Sequence, residues 1–272
     1  MAGFDAWLIN LDQDADRLVH MSAQCAGVGV EFTRFPALGP DLTDELRPFF
    51  YDDAGVPYAP LKRGEIGCYG SHLSILAKVA VSDRPGLVME DDLNLSPDFA
   101  RLDALIAAAA PDWGFLRLSN APKSPCRAVG AWPNGPIVQF WRVPNNTGAY
   151  LVSPAGAARF LAAYARRLRP LDEDLRREWE HGCPNYGPLI PLAVSNIFGS
   201  SIDAMERRAE APARSRFAAA RKRLGGEPRW RWHLRRWGAA GCARALMRSV
   251  TLGLRKRLTR RRPASSAFLI GG

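Results

Sequence analysis

Three consecutive carboxylates, Glu90, Asp91 and Asp92, follow directly on the apolar run Gly86-Leu87-Val88-Met89. Adjacent carboxylates repel one another, and a hard divalent cation such as Mn²⁺ or Mg²⁺ relieves that repulsion through oxygen ligands. Such a cation typically keeps one or two protein carboxylates and fills its remaining positions with water and phosphate oxygens. The chemistry this suggests is metal-assisted handling of a diphosphate; the plainer alternative is a solvated acidic loop ahead of a helix. A second acidic cluster, Asp172-Glu173-Asp174, follows Pro170-Leu171. It offers a general base, or simply the acidic first turn of a helix. His72 lies in a stretch of helical pattern, where a lone histidine is either a ligand, an acid/base or a satisfied structural residue.

The elements around these residues follow from pattern. Gly86–Met89, set off by the turn residues Asp83-Arg84-Pro85, reads as a strand buried on both faces. Ser96-Pro97-Asp98 reads as an N-cap, a first-turn proline and an acidic first turn, so the triplet sits where a strand ends and a loop begins. Ligands of open α/β sheets bind at such carboxyl ends. Ala6–Leu11 predicts a first strand, and Leu18, Met21 and Cys25 follow helical spacing up to Gly27–Gly29. Asp12, Asp14 and Asp16 imitate a calcium loop, but Arg17 and Ala23 occupy the positions that need glycine and glutamate. Val30–Leu38 predicts a strand, the proline-punctuated residues 40–60 a loop, and Gly64–Ser82 a helix with a start rich in small residues. That start could let phosphates approach backbone amides. Pro97–Ala110 predicts a helix, Trp113–Leu118 a strand, residues 119–135 a loop and Pro136–Arg142 a strand. Residues 145–152 run from a polar turn into a strand, and Ser153-Pro154 caps the next helix. Strands alternating with helices imply an α/β body with a largely parallel sheet.

The chain's 272 residues are enough for a full core. Five widely spaced cysteines with no Cys-x-x-Cys pair read as reduced thiols in a cytosolic protein. The longest apolar stretch is too short to span a bilayer, and the N-terminus has no basic region of the signal-peptide kind. The net charge of +10 is unevenly placed: from Arg207 onward 19 Lys and Arg face two acids, +17, which leaves −7 for residues 1–206. This asymmetry divides the chain into a globular domain over 1–206 and a basic, partly helical tail over 207–272. In the tail, Ala243, Leu246, Met247, Val250, Leu254 and Leu258 share one helical face, flanked by Arg244, Arg248 and Arg255. With Trp230, Trp232 and Trp237 nearby, this fits a helix lying in an anionic membrane interface. The alternative is a helix packed on the body with its charges solvated. A nucleic-acid-binding role is disfavoured by the acidic body and by the lack of a recognised module.

Taken in order, Ile9-Asn10-Leu11-Asp12 with Arg17, Arg34-Phe35-Pro36-Ala37, Gly64-Glu65-Ile66-Gly67-Cys68 with Ser71-His72, Glu90-Asp91-Asp92, Thr147-Gly148-Ala149-Tyr150-Leu151, Pro170-Leu171-Asp172 and Ser200-Ser201-Ile202 resemble glycosyltransferase family 25. The likeness runs over about residues 5–205. This family holds bacterial lipopolysaccharide and lipooligosaccharide transferases related to procollagen galactosyltransferases. The resemblance implies a GT-A-like nucleotide-sugar-binding domain and an inverting transfer dependent on Mn²⁺ or Mg²⁺. The donor is commonly UDP-galactose, and the acceptor a glycan or lipid-linked oligosaccharide at the cytoplasmic face of the bacterial inner membrane. It implies Glu90 and Asp92 as the metal pair, Asp172 as the base with its neighbours Glu173 and Asp174 as alternatives, and Asn10, Arg17, Glu65, His72 and Asp91 at the donor. Cys68-Tyr69-Gly70 and Leu171 depart from the usual family residues and leave the sugar open. A catalytically inactive member of the family is the remaining alternative, against which the intact carboxylates argue.

Overall fold

The computed structural model describes residues 3–39, 41–119, 121–195, 224–259 and 263–270. The Ser200-Ser201-Ile202 motif and the division at 206/207 lie outside them. Strands β1 (Asp5–Asn10), β2 (Thr33–Pro36), β3 (Gly86–Glu90), β5 (Phe115–Arg117), β6 (Cys126–Trp132), β7 (Gly135–Phe140), β8 (Ala149–Val152), β9 (Asn185–Pro188) and β11 (Leu269–Ile270) form one nine-stranded sheet. Its order is β11-β6-β7-β9-β5-β8-β3-β1-β2. A two-stranded ribbon joins β4 (Asn94–Leu95) to β10 (Ala193–Val194). The α/β class expected from the pattern is present. The sheet is mixed: β1 pairs parallel with β2 and β3, while β8 runs antiparallel between β3 and β5.

Helices cover both faces. On one, α1 (Ala15–Gly27) and α3 (Leu102–Ala108) bury Met21, Cys25, Leu102 and Leu105 against Leu8, Leu87, Met89 and Leu116. On the other, α2 (Arg63–Ala80), α4 (Pro154–Ala162) and α5 (Leu171–Leu175) pack on Ile9, Val88, Phe115 and Tyr150. The alternation Leu87/Met89 against Val88 is the period-two pattern of a strand buried on both sides. A short helix, α6 (Glu178–His181), follows α5.

One expectation is corrected. Residues 119–135 are not all loop: Cys126–Trp132 is a strand in a hairpin with β7. Pro125 and Pro133 bracket that strand instead of interrupting it; Pro133-Asn134 makes the turn, and Gly135, at φ 125°, opens β7 opposite Trp132. Two of the small residues opening α2 serve packing. A Cβ on Gly67 would lie 2.3 Å from the Leu38 carbonyl oxygen, and one on Gly70 2.6 Å from Leu42. These glycines let residues 38–42 pack on the helix, and Ser71 Oγ accepts from Leu38 N.

The basic C-terminal segment forms helix α7 (Arg229–Thr259), kinked at Gly238, and ends in β11 at the sheet edge beside β6. Trp232, Trp237, Ala245 and Leu252 of α7 are buried. His233 stacks on Trp141 at 4.2 Å between ring centroids, and Arg236 reaches Asp112 and the Tyr186 hydroxyl. Beneath this contact sits Glu178, whose Oε1 accepts from Asn185 N. Burial pushes its carboxyl up to about 8, although the Asn185 bond and the nearby arginines hold it down in part. A carboxyl raised in the fold keeps its proton there while the unfolded chain releases it, so stability falls as pH rises towards the folded value. Glu178→Gln should therefore flatten the melting temperature between about pH 6.5 and 8, relative to the parent. A parallel decline in both proteins would show that Glu178 does not titrate in this range.

Candidate active site

The carboxyl ends of β1, β3 and β5 meet the start of β8 at one edge of the sheet, because β8 runs opposite to β3 and β5. Alternation along β3 then divides the acidic triplet. Asp91 falls on the α1 side and is 9% exposed. Its Oδ2 accepts from Asn10 Nδ2 at 2.8 Å and its Oδ1 from Arg17 Nη1 at 3.1 Å. Asn10 also donates to the Asp14 carbonyl and accepts from Arg34 Nε, so these side chains lock the loops after β1 and β3 together. Burial raises the Asp91 carboxyl above its ordinary value despite these partners.

Glu90 falls on the α2 side. Thr147 Oγ1 donates to Glu90 Oε1, and His72 Nε2 lies 3.4 Å from the same oxygen. His72 is fully buried, and its Nδ1 and the Tyr150 hydroxyl are hydrogen-bonded at 2.9 Å. Burial raises the Glu90 carboxyl, but bonds from His72 and Thr147 with the His72 and Arg117 charges outweigh it, and the net shift is downward. Cys68 joins this group: its Sγ, a His72 nitrogen and a Glu90 oxygen all lie within 4.8 Å of one another. Burial first, then the charges of Glu90, Asp172 and Glu65, push its thiol well up.

Arg117, at the end of β5, is a residue sequence reasoning did not single out. It pairs across the sheet with Tyr150, its guanidinium 5.7 Å from that ring. The residue is 1% exposed, and its Nε and Nη1 have no hydrogen-bond partner among the described residues. Burial lowers its pKa to about 10, while Tyr150, Asp172 and Glu90 favour the charged form. The sequence does carry a signal: one arginine in the apolar run Trp113–Leu118. A buried guanidinium with two nitrogens left without hydrogen bonds is costly and points to an anion that completes it.

The second acidic cluster separates into three roles. Asp174 is fully buried and held by Arg169 and by the Tyr69 hydroxyl at 2.8 Å, with Glu180 on the far side of Arg169 at 2.6 Å. Glu173 pairs with Arg176 at 3.1 Å and Arg177 at 3.8 Å. Asp172 is the member that faces Arg117 and Cys68 electrostatically. Its Oδ1 accepts from Glu173 N at 2.8 Å. Burial and the neighbouring Glu173 charge raise its carboxyl to about 6, against the opposing pull of that bond, Arg117 and Arg176.

The expected site residues thus form two groups. Glu90, His72 and Asp172 gather with Arg117, Cys68 and Tyr150 on the α2 side. Asn10, Arg17 and Asp91 form a hydrogen-bonded set on the α1 side. Glu65 Oε2 accepts from Lys62 N and closes the first turn of α2. With Asp91 bound to Asn10 and Arg17, Glu90 is the member of the triplet whose oxygen lies with the Cys68 and His72 ligand atoms. Cys68 and His72 add softer donors beside Glu90. Carboxylate oxygens suit Mn²⁺ or Mg²⁺, whereas the Cys68 thiol and the His72 ring are donors that softer ions prefer.

Residues 4–127 match the sequence model of Glycosyltransferase family 25 (LPS biosynthesis protein). A glycosyltransferase 25 family member of Aedes aegypti is 36% identical over 103 residues, 35% of this chain and 17% of that protein. A human protein named inactive glycosyltransferase 25 family member 3 is 32% identical over 143 residues, 48% of this chain and 22% of that protein. The chain therefore matches about a fifth of the length of these relatives. Among solved structures, a mutant of Drosophila β-1,4-galactosyltransferase 7, crystallised with manganese, UDP-Gal and xylobiose, aligns loosely. Its TM-score is 0.40 at 13% identity, over 84% of this chain and 83% of that one. Glu90, His72 and Arg117 lie within the matched segment, and over that segment this chain is similar to glycosyltransferase family 25.

Proposed function

We propose that the protein is an inverting glycosyltransferase that moves a sugar, galactose by family resemblance, from a UDP-sugar to a hydroxyl of a lipopolysaccharide, lipooligosaccharide or related glycan. The observation that carries this reading is the buried Arg117 guanidinium, flanked by Glu90 and Asp172 at the carboxyl edge of the sheet. A guanidinium there complements the negative charge that develops on a departing nucleoside diphosphate. Asp172 accepts the proton of the acceptor hydroxyl as its oxygen attacks the anomeric carbon. The bond from that carbon to the diphosphate oxygen breaks, UDP leaves with the electron pair, and single displacement inverts the centre by the geometric logic of inverting glycosidases. His72 and Thr147 fix the Glu90 carboxylate in place. A divalent cation held by Glu90 and Asp92 would add Lewis-acid neutralisation of the diphosphate.

The test is a panel of UDP-sugars incubated with the protein, reading UDP release with Mn²⁺, with Mg²⁺ and with chelator. Asp92→Ala is expected to lose most of the turnover while its melting temperature holds or rises, since the change relieves charge repulsion within the triplet. Full activity in chelator, or unchanged turnover in Asp92→Ala, would remove the cation from the reading. No release from any donor would favour a non-catalytic role, the state named for the human relative.

A further inference from the structure

Helix α7 carries two apolar faces, and the body uses one. Gly241, Ala245 and Leu252 are buried at spacings that bring them round to one side. At about 100° per residue, Met247, Val250 and Leu254 lie roughly opposite Ala245. They stay 62%, 62% and 53% exposed, with Leu246 beside them at 56%. The exposed Arg244 and Arg255 border this stripe. On the other side of the helix a cavity of about 440 Å³ opens between α7 and residues 121–125. Lys123, Arg142 and Lys256 line it together with Ser249, Leu252 and Phe268.

We infer that this stripe, with the arginines that border it, forms a docking surface for an anionic lipid bilayer. Charge selects the occupant. A second copy would bring an equally basic segment against this one, since the chain from Arg207 onward carries +17. A nucleic acid meets the charge but gains nothing from a row of aliphatic side chains. A bilayer containing anionic lipid meets both: Met247, Val250 and Leu254 enter the acyl boundary while Arg244 and Arg255 meet phosphate headgroups. No helix among the described residues is long and apolar enough to cross a membrane, so α7 lies along the surface instead of spanning it. The inference stands apart from the transfer chemistry, because none of these residues belongs to the group around Glu90.

The test is co-sedimentation of the full chain with phosphatidylcholine vesicles, with and without phosphatidylglycerol. Binding is expected on the mixed vesicles, weakening as salt rises. Val250→Glu with Leu254→Glu should lower it by more than about tenfold, since two apolar contacts are lost and two charges face an anionic surface. Both side chains point away from the body, so the melting temperature should hold. Arg244→Ala and Arg255→Ala should each weaken binding by about fivefold, the equivalent of about 1 kcal/mol per cation beside an anionic leaflet. Equal binding to both vesicle types, unchanged binding of the double variant, or no binding by the parent would overturn the inference. So would a parent dimer that the double variant dissolves, which would give the face to a second copy.

Discussion

Replacing Arg117 by methionine is expected to lower turnover by about 10²–10³-fold, the range seen when one preorganised donor to a developing oxyanion is removed. It should cost little stability. The guanidinium is buried, and two of its nitrogens find no hydrogen-bond partner among the described residues, so the fold bears its desolvation without full compensation. An apolar side chain of similar length removes that cost, and such exchanges of buried charge are often neutral or stabilising. A second readout separates a role in the site from a role in packing. Arg117 is one of the charges that hold the Asp172 carboxyl down. Its loss should move the acid limb of the pH–rate profile upward from about 6. The checks are UDP release against pH and a thermal melt. A variant that melts much lower and turns over normally would make Arg117 a structural residue.

The way β3 divides the triplet explains how much of this site the sequence could show. The apolar run from Gly86 and the turn residues on either side locate the strand, its burial and its end, because these are local patterns. They say nothing of which carboxylate faces which layer. That depends on α1 and α2 packing on opposite faces, so the association of Asp91 with Asn10 and Arg17 came into view with the fold. The same limit applies to Asp172-Glu173-Asp174, where three neighbours look equivalent. Arg169 and Tyr69 withdraw Asp174, and the contact partners lie as far away as 105 residues. Arg117 and the Cys126–Trp132 hairpin did leave local marks, a charge in an apolar strand and a Pro-Asn turn followed by glycine. The tail helix shows the reverse case. Its heptad-like spacing picks out Ala243, Met247, Val250 and Leu254 correctly as one face. Periodicity alone does not reveal that the opposite face, through Ala245 and Leu252, is the one the body covers.

Asp172→Asn should reduce turnover by about 10²–10⁴-fold, the contribution of a positioned general base. Asparagine keeps the side chain's shape and its acceptor for Glu173 N, so the loss would measure the missing charge. The pH dependence gives the sharper check. Burial and the Glu173 charge raise the Asp172 carboxyl to about 6. A base must be ionised, so the parent's turnover should fall as pH drops through about 6, well above the limb near 4 that an ordinary aspartate would give. The sign for stability runs the other way. A carboxyl raised by folding lowers stability as pH climbs from its unfolded value towards its folded one, and that penalty is complete above about 6. The asparagine variant escapes it, so at pH 7 it should melt no lower than the parent while being far slower. Glu173 and Asp174 are already bound to Arg176, Arg177 and Arg169, so neither is placed to substitute for it. A loss of turnover below about tenfold, or an acid limb that stays in place in the variant, would move the base elsewhere and leave Asp172 as a first-turn acid of α5.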